Sequence, residues 1–166
     1  MFDIDEFKSA ISAECAVLRH LAGKVRDTAL DWRPSPDQRS VQETMQYLAF
    51  CGIGPARALL AGDWSGIGPL SESFAGIGPA GFHEAIVGQE RELHALLDGL
   101  GPGELESRQV KLPWDPDNTV PFGHALYTTS LRFLTAYRMQ LFLFLKASGQ
   151  KNMGFHDAWL GMDQPG

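Results

Sequence analysis

Tyr47, Tyr137 and Arg138 are the side chains of this sequence that could orient a small polar molecule, through two phenol hydroxyls and a guanidinium. Phe133 and Tyr137 stand at i, i+4, so both rings share one helix face. Cys51 follows Tyr47 by one turn and could face the same pocket. A thiol there is reactive only with a lowered pKa and access; otherwise it is ordinary buried packing. Aromatic residues at helical spacing are also common core material, so the same set reads equally as packing. Glu14 falls within an otherwise apolar stripe, either as a pocket carboxylate or, the preferred reading, at a seam edge with its head in water.

The histidines carry less. His83 and His94 are eleven residues apart, too far along one helix to share a metal. Glu90 and His94 form an i, i+4 pair that could ligate weakly, but a solvated helix face is the ordinary meaning of that spacing. His124 opens a helix, and His20 and His156 have no supporting spacing. There is no Ser/His/Asp order, His-x-x-x-His or Cys-x-x-Cys.

The tetrapeptide Gly-Ile-Gly-Pro occurs at 52–55, 66–69 and 76–79. A phosphate loop needs a strand, a glycine-rich turn and then a helix, and no copy follows a convincing strand or ends in Gly-Lys-Ser/Thr. Proline is tolerated in the first turn of a helix, where its missing N–H is not needed. The copies therefore read as helix breaks and restarts.

Helices must position these residues. Ile4, Phe7, Ile11, Leu18, Leu21 and Val25 mark the first stripe. Ser40-Val41-Gln42-Glu43 is a capping box that opens the second helix, with Val41, Met45 and Leu48 pointing one way. The preceding LDWRPSPDQR has two prolines and reads as a loop. A third helix is expected from about Pro79 to Leu100, closed by Gly101-Pro102-Gly103. Residues 106–122 read as a short hairpin or extended crossover. The last long helix spans about His124 to Ser148, with a short helix near 155–161 after it. Leu131, Met139, Phe142 and Leu143 broaden its apolar surface, which suggests a central helix or one shared with a second subunit.

The 166 residues fit one domain over 1–166, with 44% apolar and 20% charged residues. A formal charge of −6 disfavours nonspecific binding to nucleic acid or anionic membranes. LFLFL at 141–145 is far too short to span a bilayer, and the N-terminal stretch lacks a signal-peptide pattern. Two cysteines make no disulfide framework, so the expectation is a cytoplasmic protein with reduced thiols.

"LDWRPSPDQRSVQETMQYLAF" resembles the second-helix segment of DinB/YfiT-like four-helix bundles, where an Arg-Pro loop leads to a Ser-Val helix start and a metal-binding histidine. "VPFGHALYTTSLRFLTAYRMQLFLFLKASG" resembles the fourth helix, which in the family usually carries His-x-x-x-His-Arg-Gly-Gln. The resemblance implies an all-α, DinB-like four-helix bundle with a crossover connection, and a three-histidine zinc or nickel site. Family members include thiol-dependent transferases and isomerases. The three histidine positions fall here on Tyr47, Phe133 and Tyr137, while Arg138 and Gln140 match the Arg and Gln that follow.

Neutral imidazole donates a lone pair to zinc, phenylalanine has no donor, and tyrosine ligates only as phenolate, from a pKa near 10. The expectation is therefore a metal-free, cofactor-free member that binds a small-molecule ligand or acts as a structural or interaction protein. Its pocket would comprise Tyr47, Cys51, Phe133, Tyr137 and Arg138. A homodimer is expected, without nucleic-acid or membrane partners. The alternative is a metal-dependent thiol S-transferase or isomerase-like enzyme, with zinc or nickel held by unmatched ligands such as His83 or His124.

Overall fold

The computed structural model describes residues 3–165. Helix α1 (Ile4–Ala22) opens with a capping box, in which Asp3 accepts from the Glu6 amide and Glu6 accepts from the Asp3 amide. The chain then makes a short 3-10 turn (Asp27–Ala29) and a loop pinned to the bundle by Trp32, whose ring meets Phe144 edge-on at 5.5 Å. Ser40 and Glu43 form the expected box at the start of α2 (Val41–Leu48), whose Val41, Met45 and Leu48 are all buried.

Each Gly-Ile-Gly-Pro copy lies at a helix start. Gly52 and Gly66 are the N-caps of α3 (Ile53–Ala61) and α4 (Ile67–Glu72), while Gly78 caps α5 (Pro79–Asp98) with Pro79 at its first position. The sequence's second helix is thus broken in two. The first copy is also buried, and its amides already have a partner. Gln89 Oε1 of α5 accepts from the Gly52 and Ile53 amides at 2.8 and 3.1 Å, its Nε2 donates to Leu48 O, and Ser130 Oγ donates to Gly52 O. The orphan donors of a helix start are therefore satisfied from within the core.

After α6 (Glu104–Ser107) comes the hairpin, β1 (Gln109–Leu112) antiparallel to β2 (Asp115–Pro121), with Val110 opposite Val120 and an irregularity before Leu112. Val110 and Leu112 turn inward, whereas most of β2 is exposed. The last long helix begins as α7 (Phe122–Leu126), passes through a π turn (Tyr127–Leu131) and continues as α8 (Arg132–Ala147). A second π turn, His156–Leu160, forms the tail.

The main packings pair α1 with α5 and α8, α2 with α8 and α5, and α3 with α5. The segments 23–40 and 99–121 thus carry the chain across the bundle. Of the residues that broaden the last helix's apolar surface, Leu131 and Phe142 are buried within the chain, Met139 is half-buried and Leu143 is exposed. Half of that excess is therefore buried within the chain. No helix among the described residues is long and apolar enough to cross a membrane.

Candidate functional site

The loop before α2, the second half of α2, α8 and the hairpin tip meet in one aromatic group. Tyr47 of α2 and Tyr137 of α8 have ring centroids 4.4 Å apart, and Tyr137 meets Phe133 edge-on at 6.5 Å. Trp114 at the hairpin tip approaches Phe133 at 6.4 Å, and Phe50 meets Tyr47 at 5.4 Å. The three positions matched to histidines in the sequence do converge, as half-buried rings.

Over them lies Arg39, which sequence spacing did not single out. Its guanidinium sits 4.5 Å from the Tyr47 ring centroid and 5.4 Å from that of Tyr137, and Nη1 donates to the Tyr137 hydroxyl at 3.2 Å. Such stacking pairs the cation with the negative ring faces. Arg39 is held here because Ser40 must cap α2, which fixes the chain direction one residue earlier. Burial pushes the Tyr47 phenol well above its usual value, with nearby Cys51 and Tyr137 adding to the rise and Arg39 opposing it. Phenolate is thus disfavoured at Tyr47. A phenyl, two phenols and a guanidinium do not fit the imidazole or thiolate set that zinc takes.

Beside Tyr47 and Arg39 opens a cleft of about 340 Å³, lined also by Arg33, Asp37, Glu43, Gln46 and Ser71. Phe133 and Tyr137 do not line it. Neither does Cys51, which is buried with its thiol directed at Leu48 O. Burial, reinforced by Cys15, pushes the Cys51 thiol far above the usual range, so it is no ready nucleophile. Cys15 is pushed up to about 12, first by burial.

Arg138 turns away from this group. It is 1% exposed, its Nε donates to Glu14 Oε2 at 2.5 Å, its Nη1 donates to Ala158 O, and its guanidinium lies 4.8 Å from the Trp159 ring centroid. Glu14 accordingly faces a buried cation rather than water. Glu90 and His94 are also engaged rather than solvated: Glu90 pairs with Arg19, and His94 Nε2 lies 3.1 Å from Ser12 Oγ and 3.3 Å from Lys8 O. His83 pairs with Glu84, and His124 is exposed.

Among the described residues, one group of three has the types and proximity to hold a metal: His20, Asp157 and Asp163, with candidate ligand atoms within 4.8 Å of one another. It contains neither His83 nor His124. A cation already serves it, since Lys24 pairs with Asp163 and lies 3.7 Å from Asp157. His20 Nε2 is 2.8 Å from Asp157 Oδ1, and Asp157 Oδ2 accepts from the Gly154 amide and Gln164 Nε2.

Burial alone would raise the Asp157 carboxyl, but the hydrogen bonds from His20, Gly154 and Gln164, with the Lys24 charge, bring it down to about 2. A depressed carboxyl contributes stability above its unfolded pKa of about 4 and loses it as pH falls through the folded value. The contribution is roughly 2 kcal/mol at neutral pH. Urea unfolding of Asp157→Asn should therefore give a flatter acid limb between about pH 4 and pH 2 than the parent protein. An unchanged slope would remove this assignment.

No family model matches the sequence, and no curated protein does. Solved structures do. The crystal structure of a DinB-like protein, YjoA, from Bacillus subtilis superposes with a TM-score of 0.68 at 15% identity, over 91% of this chain and 97% of that one. The fold is DinB-like. A structure described as the sibling lethal factor precursor DfsB gives a TM-score of 0.65 at 21% identity, over 90% of this chain and 99% of that one. The two superpositions take in nearly the full length of both neighbours and about nine-tenths of this chain.

Proposed function

We propose that this DinB-like chain binds a small molecule without a metal, at the cleft beside Tyr47. The supporting observation is Arg39: its guanidinium lies over the rings at two of the three positions matched to the family's metal ligands. On this reading, a cation built into the protein lies beside the positions at which the family holds its metal. Cleft size agrees, since small-molecule sites usually begin near 300 Å³.

Metal analysis of untagged protein tests the first half. The expected result is less than one-tenth of an equivalent of zinc or nickel after purification without chelator. A stoichiometric metal lost on Tyr47→Ala would overturn the reading. The enzyme alternative draws on His20, Asp157 and Asp163, and it predicts stoichiometric metal that disappears with His20→Ala instead.

A further inference from the structure

The cleft's charged side chains are unevenly committed. Glu43 Oε2 accepts from the Ser40 amide at 2.7 Å and lies 3.4 Å from Arg33 Nη2. Arg33 also donates to Gln38 O at 3.2 Å, and Gln46 Nε2 donates to Ser71 O at 2.9 Å. Arg39 differs. It spends one donor on the Tyr137 hydroxyl and, among the described residues, forms no ion pair at contact distance, its charge reaching Glu43 only as a minor contribution to that carboxyl's lowered pKa. A guanidinium has five N–H donors in a planar fork. Here two ring faces and a phenol hold that fork in place before any ligand arrives, which lowers the ordering cost of binding. Asp37, the other charged residue of the lining, is exposed and has no such support.

The geometry points to a small organic carboxylate as the ligand class, with its carboxylate on Arg39 and its body in the cleft against Pro36 and Tyr47. This rests on the small-ligand reading above and adds the charge and shape of the recognised group. A planar carboxylate can accept two parallel N–H bonds from a guanidinium, and its neutral amide cannot reproduce them. Pro36 and Tyr47 are the ring-bearing residues of a lining that is otherwise polar, so the body that fits is a small one lying against these two.

Matched acid and amide pairs separate charge from shape: benzoate with benzamide, phenylacetate with phenylacetamide, and hexanoate with hexanamide. Each is titrated into the full chain, with NMR shifts of the Arg39 side chain and the Tyr47 ring as the readout. At least one acid is expected to bind roughly ten-fold or more tightly than its amide. In Arg39→Gln its affinity should fall to the amide's level. Arg39→Lys, which keeps the charge but not the fork, should fall in between and guards against a folding defect in the glutamine variant.

Equal binding of acids and amides, or acid binding that survives Arg39→Gln, would overturn the carboxylate assignment and leave the small-ligand reading standing. If neither acids nor amides shift the Tyr47 and Arg39 resonances, both readings fail.

Discussion

Replacing Arg138 with alanine should destabilise the fold by about 3 kcal/mol, the largest loss expected from any single polar side chain here. The reason is what remains behind. Glu14 would be left at a position only 17% exposed, without the guanidinium that meets it at 2.5 Å. The tail would lose two fixings at once, the bond to Ala158 O and the cation over Trp159. Breaking a buried pair is costly, whereas removing both charges and filling the space is often neutral. Chemical denaturation of Arg138→Ala, Glu14→Gln and the double variant Glu14→Gln/Arg138→Met tests this directly. The double variant should be closer to the parent than Arg138→Ala is. A loss below 1 kcal/mol for Arg138→Ala would mean that the pair contributes no more than a surface contact.

Gln89 should rank next, at roughly 2–3 kcal/mol for Gln89→Leu. Leucine is close in volume, so the cavity contribution is small, and the cost comes from three buried backbone groups. The Gly52 and Ile53 amides would lose their acceptor, and Leu48 O its donor. Gly52→Ala attacks the same junction sterically. A Cβ there would lie 3.0 Å from both Gln89 Oε1 and Leu134 Cδ1, and 3.1 Å from Leu93 Cδ1. Overpacking of this kind costs about 1–3 kcal/mol. Because both substitutions strike one contact, their effects should fall well short of additive, which a double-mutant cycle would read. Full additivity would disconnect Gln89 from the helix break.

Local chemistry made much of the fold legible. The Ser40–Glu43 box set the start of α2 and Pro79 the start of α5, because each acts on backbone within a few positions, whereas the turn-forming residues at 115–118 lie within β2 and the hairpin turns one step earlier, at Pro113-Trp114. Gln89 could have been found too. It falls on the stripe of Phe82, Ile86, Leu93 and Leu97, where a lone amide must answer to some buried backbone.

The site was less legible because its partners are far apart in sequence. Arg39 reaches Tyr137 across 98 positions, and His20 reaches Asp157 across 137. No periodicity carries such pairs. Tyr47, Phe133 and Tyr137 were grouped by resemblance and do come together, while Cys51, grouped as one turn on from Tyr47 but lying past the end of α2, and Arg138, the neighbour of Tyr137, face elsewhere. Sequence neighbours on a helix are about 100° apart, so adjacency is a poor guide to a shared pocket.

The π turn at Tyr127–Leu131 has a genetic meaning. A π turn holds one residue more than the α-helical turn it replaces, so it is equivalent to a one-codon insertion absorbed without lengthening a loop. Everything after it is out of phase with everything before it. Upstream, Phe122 and Leu126 define the inward line; downstream, that line runs through Leu134, Arg138, Leu141 and Leu145. The phase shift is what gives Tyr137 to the ring cluster and Arg138 to the tail. Deleting one codon there amounts to turning the rest of the helix by about 100°, enough to exchange which neighbour looks at which partner. A bundle of this kind can therefore diverge by rotation, with no residue of the cluster itself being replaced.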